Sequence, residues 1–352
     1  MKMITFADAI NEALDFSLSK DKLMICYGLG VTDPKAVFGT TKGLEQKFGK
    51  NRVFDMPTSE NAMTGVGIGA SLNGVRSVVT HQRLDFFLLA MDQLVNGAAK
   101  YYYMYGSQKN VPITIRLVIG RGWGQGPTHS QNLQAWFSHI PGLKVVMPST
   151  PEDAKTLLIS SIFDPNPVIY LEHRWLHNSK GRVSEDNLIE KIGNAKILRK
   201  GKDITIVSMS YMTIESIRAA EFLSKEMNVD VEVIDLRSVK PIDWITIFKS
   251  VEKTGRIIVV DSGFTTGSIA GEIIARVSME RFNYLKVPPA RLAMPDVPEP
   301  TSFALTKGFY IGSKDITKLT LKILNIEISE NINVLDEPEF HDIPGPWFKG
   351  PF

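Results

Sequence analysis

From about residue 4 to residue 20 the apolar positions Phe6, Ala9, Ile10, Ala13 and Leu14 recur at helical spacing, which predicts an amphipathic helix. The pattern then changes. The run from Lys22 through Leu23, Met24, Ile25, Cys26 and Tyr27 is continuous and ends at Gly28, as a buried strand would. Further apolar runs at 76–79, 112–119, 143–147 and 167–171 predict strands, and 61–72 and 84–103 between them predict helices. Strands without a polar face, alternating with helices, argue for a parallel sheet covered on both sides.

A second alternating series follows the polar, charged stretch 178–200, which reads as a linker. Its strand-like runs are 204–208, 231–235 and 256–261. The fold class expected is therefore α/β, with two domains of mainly parallel sheets flanked by helices, at 1–185 and 186–328. Residues 329–352 combine proline, glycine and aromatics without any period, so an extended tail is expected. Its Trp347, Phe348 and Phe352 would pack either on the chain's own surface or on a partner subunit. No solenoid repeat is visible.

Composition narrows the class. A chain of 352 residues is long enough for two cores, and 43% hydrophobic residues, 22% charged residues and a formal charge of +2 describe a soluble globular protein with no bias toward nucleic acid. The single cysteine, Cys26, excludes an internal disulfide, and no Cys/His cluster has zinc-site spacing. No apolar run approaches the roughly 20 residues that span a bilayer. A cytoplasmic protein, neither secreted nor membrane-anchored, is expected.

Candidate chemistry concentrates in three segments. Ser59-Glu60-Asn61 opens the predicted helix at 61–72, where a hydroxyl and a carboxylate ordinarily serve as helix-start residues. That helix carries Gly65, Gly67 and Gly69, a costly composition that suggests close approach of another backbone or a ligand. The second segment, Gly120 to Gln131, is a glycine-rich loop after an apolar strand, containing Gly126-Pro127-Thr128-His129-Ser130-Gln131. As a dinucleotide-binding fingerprint it is weak, because the glycine spacing is wrong and Pro127 stands where a helix should turn. His129 can hold or move a proton near neutral pH or be purely structural. The third, Ser161-Ile162-Phe163-Asp164-Pro165-Asn166-Pro167, reads alone as an Asp-Pro-Asn turn before a strand.

Together these segments resemble the beta subunits of the decarboxylating component of 2-oxoacid dehydrogenases and their transketolase-like relatives, over about residues 3 to 325. The resemblance implies a thiamine diphosphate enzyme. Glu60 is implied as the acid that hydrogen-bonds the cofactor's aminopyrimidine and so activates it. Phe86, which alone would be read as core, is implied as the ring packing on the pyrimidine, with Gln82 as a further cofactor contact and His129 as the active-site histidine. The loop at Ser161, Ile162, Asp164 and Asn166, with Ile113, resembles a potassium site built from oxygens, as a hard cation prefers. One family element is absent: no Gly-Asp-Gly with a downstream asparagine, the pattern that holds Mg2+ and the diphosphate. The resemblance therefore implies an alpha-like partner carrying that pattern, a second beta-like chain completing a heterotetramer, and a lipoyl acyltransferase as the usual acceptor. A transketolase-like or acyloin-forming carboligase and a catalytically silent scaffold are the alternatives, the last disfavoured by Glu60, Phe86 and His129 all being present.

The stretch Thr80-His81-Gln82-Arg83-Leu84-Asp85-Phe86 departs from the family. Its members have an acid at the Thr80 position and apolar residues at those of His81 and Arg83. Either the two basic side chains point away from the cofactor and pair with acids, or one faces the substrate, where a guanidinium would read a carboxylate or phosphate.

Overall fold

The computed structural model describes residues 1–121 and 124–327 together with His341 and Ile343. Among them lie the strands β1 (Lys2–Thr5), β2 (Ile25–Gly28), β3 (Val53–Asp55), β4 (Ser77–His81), β5 (Ile113–Ile119), β6 (Lys144–Val146), β7 (Val168–His173), β8 (Lys180–Val183), β9 (Lys196–Arg199), β10 (Ile204–Ser208), β11 (Val231–Asp235), β12 (Ser238–Lys240), β13 (Ile257–Phe264) and β14 (Ala290–Met294). They form a seven-stranded sheet in the order β12-β6-β7-β5-β4-β2-β3, a five-stranded sheet in the order β14-β13-β10-β11-β9, and the pair β1-β8. Every pairing in the larger sheet is parallel except β12 on β6. In the smaller sheet only β9 runs antiparallel. The α/β architecture expected from the alternating pattern is thus present. β4, β5 and β7 are buried at every position, as strands covered on both faces must be.

The helix Phe6–Lys20 starts where Thr5 and Asp8 form a capping box, Asp8 N–H donating to Thr5 Oγ1 at 3.0 Å. Its buried side carries Phe6, Ala9, Ile10, Ala13, Leu14 and Leu18 and packs on the helix Pro151–Phe163. The latter begins with Pro151 after the capping Thr150, an arrangement that satisfies a free N–H and presets the first turn.

Three details differ from the expected pattern. The stretch 178–200 is not a bare linker, because it carries β8, paired with β1 from the chain's start, and β9 on the edge of the second sheet. Such edge strands are short and half exposed, so their polarity resembles a loop's. The run 84–103 is helical but interrupted by a 3-10 turn at Leu88–Ala90 and a wide π segment at Gln93–Ala98, after which α-helix resumes at Ala99–Met104. The extra residue in the wide turns rotates the downstream face, and Leu94, Ala98 and Ala99 all reach the core. The tail aromatics Trp347, Phe348 and Phe352 lie outside the described residues.

The glycine-rich helix Glu60–Leu72 is explained by packing at one of its glycines. A Cβ on Gly67 would stand 2.6 Å from Tyr27 Oη and 2.8 Å from Ile113 Cδ1, so the glycine lets the helix lie directly on the sheet. At Gly69 nothing lies within 4 Å. Gly67→Ala is therefore expected to destabilise the isolated chain by about 1–3 kcal/mol through overpacking, and Gly69→Ala to stabilise it by about 0.4–1 kcal/mol. Urea unfolding of both variants checks the pair. Equal shifts would refute the packing account.

Candidate active site

In open parallel sheets, ligands bind beyond the carboxyl ends of the strands, where the strand order reverses. Here β3 lies on one side of β2 and β4 on the other, so the chain reverses direction across the sheet at β2. The segments singled out in the sequence follow these carboxyl ends: Glu60 after β3, Gln82 to Phe86 after β4, and Gly120 to Gln131 after β5.

Glu60 is the first residue of its helix, where the free N–H groups favour a negative charge. The carboxylate is buried, yet it has no hydrogen-bond partner among the described residues. Because the Glu60 helix packs on Leu84–Phe87 and Leu88–Ala90, Glu60 and Phe86 sit on neighbouring elements. The Phe86 and His129 rings meet edge to face with centroids 5.2 Å apart and planes at 88°. His129 Nδ1 lies 3.0 Å from Thr128 Oγ1. A cavity of roughly 280 Å³ is bounded by Lys35, Phe38, Gln82, Arg83, Phe86 and His129, with Asp33 and Gln125 also on its wall. A larger cavity, roughly 830 Å³, opens elsewhere beside Trp136, Lys240, Trp244 and Asp261 and holds none of the predicted site residues.

The glycine-rich loop is shaped by its neighbours rather than by a nucleotide. Gly120 has φ +78°, and a Cβ there would fall 2.2 Å from His173 Nε2, so only glycine lets the loop leave β5 against that ring. The Gly120 carbonyl accepts from Arg83 Nη1 at 2.7 Å, and Gln131 Nε2 donates to Asp85 Oδ1 at 2.8 Å. The next helix, Gln134–His139, does not start on the glycines, as a dinucleotide fold requires. Gly122 and Trp123 lie outside the described residues.

The two basic side chains after β4 separate. His81, entertained as a substrate contact, does not line the cavity: it is fully buried, its ring 5.0 Å from that of Phe87, and neither ring nitrogen has a partner among the described residues. Burial lowers its pKa to about 4, so the imidazole is neutral. Arg83 does line the cavity. Burial pulls its pKa down to about 10, opposed by Asp85 and Glu299, which still leaves it charged at neutral pH.

Behind this wall lies a buried set of charges that sequence reading did not single out. Arg116 donates from Nη2 to both oxygens of Glu172, at 2.8 and 3.1 Å, and reaches Thr80 Oγ1 at 3.5 Å. Glu172 is thus the carboxylate that answers Arg116. Arg174 lies 4.3 Å from the Phe38 ring centroid, and Arg121 lies between Tyr310, at 3.4 Å, and Trp175, at 4.2 Å. His173 is lowered to about 3 by burial first and then by Arg121, Arg83 and Arg174, and His177 falls well below its ordinary value for similar reasons. The available signal was the run Glu172-His173-Arg174 closing an apolar strand. Glu299, from the second domain, left no such signal. Burial pushes its carboxyl up to about 8, helped by Asp85 and opposed by Arg121, Asn132 and Arg83.

The cation loop lies at the opposite, amino end of the sheet, where Ile113 begins β5 beside Ser77. Ser161 and Ile162 belong to the last turn of the helix Pro151–Phe163. Arg76 Nη1 donates to the carbonyls of Ile162, at 3.0 Å, and Asp164, at 3.2 Å, while the Asp164 carboxylate pairs with Lys144 and accepts from Asn166 N–H. Asn166 Oδ1 is buried without a partner. Among the described residues no three His, Cys, Asp or Glu side chains group as a metal site, and no helix is long and apolar enough to cross a membrane.

Comparison with known proteins matches residues 2–179 to the transketolase pyrimidine binding domain and 193–316 to the transketolase C-terminal domain. The chain is 42% identical over 321 residues to the pyruvate dehydrogenase E1 component subunit beta-1, mitochondrial, of Arabidopsis thaliana, covering 90% of this chain and 88% of that one. It is 37% identical over 335 residues to the acetoin:2,6-dichlorophenolindophenol oxidoreductase subunit beta of Bacillus subtilis, covering 92% and 98%. A solved split-gene transketolase, described as an inactive beta4 tetramer, superposes with a TM-score of 0.74 at 20% identity over 92% of this chain and 99% of that one.

The raised Glu299 carboxyl makes a pH-dependent contribution of known sign. Its folded pKa of about 8 exceeds the ordinary value of 4.5, so the folded state binds the proton more tightly and this contribution to stability is lost as pH rises from about 4.5 through 8. Glu299→Gln is expected to flatten that part of the profile, measured as unfolding free energy between pH 5 and 8. An unchanged slope would exclude a raised carboxyl at this position.

Proposed function

This chain belongs to the transketolase-like family that includes the E1 beta subunits of pyruvate dehydrogenase, and from that membership we propose that it is the beta subunit of a thiamine diphosphate-dependent enzyme that decarboxylates a 2-oxo acid and passes the acyl unit to an acceptor, usually a lipoyl group. One observation carries the reading: Glu60, 6% exposed and without a hydrogen-bond partner among the described residues, starts the helix that packs on the Phe86 element, and Phe86 and His129 share the wall of one cavity. A carboxyl left unanswered in this way is open to a partner from outside the described residues, and a ring nitrogen of the cofactor's aminopyrimidine is such a partner.

Thiamine diphosphate, when bound, supplies the electron sink that a 2-oxo acid needs to lose carbon dioxide. The chain's residues do the rest. Glu60 would hold a proton against the aminopyrimidine ring nitrogen and so favour the imino tautomer, whose own nitrogen can accept the proton that leaves the reacting carbon. Phe86, on the cavity wall, is the packing surface for that ring, and Gln82, on the same wall, is a further contact. His129, oriented through Thr128, holds or moves a proton on the acyl side.

Nothing in the chain has the Gly-Asp-Gly pattern for Mg2+ and the diphosphate. We therefore assign that half of the site to an alpha-like partner, with two alpha-like and two beta-like chains arranged about a two-fold axis and a lipoyl acyltransferase as the acceptor's carrier. For potassium, Asn166 Oδ1, which has no partner among the described residues, supports a bound cation, while the Ser161 carbonyl already accepts from Asp164 N–H and Arg76 answers one lone pair on each of the Ile162 and Asp164 carbonyls. Such a cation would be a structural brace, since it lies at the far end of β5 from Phe86. The single buried thiol, Cys26, fits a reducing cytoplasm.

Glu60→Gln keeps the shape and removes the proton. Turnover of the reconstituted complex is expected to fall by at least about 100-fold with the melting temperature nearly unchanged, and retention of more than a tenth of the activity would refute the role. The chain alone is expected to bind thiamine diphosphate poorly. Tight, Mg2+-dependent binding by this chain alone in calorimetry would contradict a divided site.

A further inference from the structure

We propose that the cavity beside Phe86 selects a substrate bearing a second anionic group, a carboxylate or a phosphate ester, and that Arg83 is the residue that reads it. This rests on the reading of that cavity as the substrate side of the active site.

Two cations from separate segments, Lys35 between β2 and β3 and Arg83 after β4, stand on the cavity wall, with Asp33 as the one carboxylate among the lining residues. Arg83 is 3% exposed and makes no ion pair among the described residues. Burying a guanidinium without a carboxylate is costly unless other groups answer it. Nη1 is answered by the Gly120 carbonyl and Nη2 by Gln125 Oε1. These bonds use two of its five N–H groups, and they hold the planar fork rigid at the wall, as bidentate anion recognition requires.

Of the nearby carboxyls only Asp85 offsets this charge in part, and it does so without pairing with Arg83, its Oδ1 accepting instead from Gln131. Glu172 is paired with Arg116, and burial raises the Glu299 carboxyl to about 8, so it stays protonated through neutral pH. Arg174, stacked over the cavity-lining Phe38, adds a further positive charge behind the wall. A low-dielectric cleft lined by one sign of charge concentrates ligands of the opposite sign.

The carboxylate that leaves as carbon dioxide is the wrong partner for this fork. A strong bond to it would stabilise the bound substrate more than the transition state and slow the reaction. A cation held this firmly suits an anionic group that survives the chemistry, at the remote end of the donor or on the acceptor.

The test uses the full-length chain and the reconstituted complex. Calorimetric titration of the chain with succinate and with inorganic phosphate is expected to show binding of at least one, and the tighter of the two identifies the group. Arg83→Met should weaken it at least tenfold, Arg83→Lys less, and Lys35→Met, at an exposed position that leaves the fold intact, should weaken it measurably. In the complex, Arg83→Met should lower the kcat/KM preference for a dicarboxylic 2-oxo acid over pyruvate at least tenfold if the carboxylate is the group read. Absence of binding by either anion, equal binding by Arg83→Met, or loss of binding once the alpha-like chain is added overturns the proposal, the last because Arg83 would then be paired with an acid of the partner. A complex that decarboxylates 2-oxo acids without any Arg83-dependent anion binding sinks this inference alone, whereas Arg83-dependent anion binding in a complex with no decarboxylase activity sinks the functional reading and leaves the anion site standing.

Discussion

The contact between Arg116 and Glu172, both fully buried in adjacent strands of a parallel sheet, is the constraint on which the candidate site depends. A buried guanidinium and carboxylate stay charged only if each satisfies the other, and removing one partner of such a pair typically costs about 3–5 kcal/mol. With Glu172 held at the end of β7, the next residue, His173, is placed under Gly120 at the end of β5. The glycine then turns with its carbonyl toward Arg83, and Arg83 is held at the cavity wall. A chain of single contacts thus runs from the middle of the sheet to the proposed substrate-reading group, each link set by the one before it.

Much of this organisation is legible in the sequence because burial on both faces leaves long apolar runs. β5, β10, β11 and β13 stand out for that reason, as does the helix Phe6–Lys20 with its regular apolar side. What is not legible has physical causes. β3 and β12 are three residues long, too short for a period, and β1, β8 and β9 are exposed edge strands whose composition matches a loop's. The three glycines of the Glu60 helix look alike in sequence, yet only Gly67 meets the sheet closely, and that distinction exists only once Tyr27 and Ile113 are folded beneath it.

The candidate site was legible to a similar extent. The family resemblance implies Glu60, Phe86 and His129, and the departure from it singled out His81 and Arg83 alike, which strand alternation and the turn after β4 send to different places. The buried charge set was invisible because its members come from β5, β7, the glycine-rich loop and the second domain. Glu299 lies far along the chain from Arg83 and Asp85, so only tertiary structure shows that a carboxyl of one domain is held protonated beside charges of the other.

Four of the buried arginines, Arg83, Arg116, Arg121 and Arg174, show why an excess of positive charge can persist in such a core. Arg116 is answered by a carboxylate, Arg121 by two aromatic faces, and Arg174 has the face of Phe38 beside it. Carboxylates and ring faces offset a guanidinium by different means, full charge in one case and a quadrupole in the other. Arg83 is answered among the described residues only by neutral oxygens, those of Gly120 and Gln125. Neutral acceptors satisfy N–H groups without cancelling charge, so Arg83 keeps a demand for an anion, and of these guanidiniums it is the one on the wall of the cavity beside Phe86. The charge of Arg116 is balanced inside the core by Glu172, whereas that of Arg83 stands where it meets whatever enters the cavity from outside.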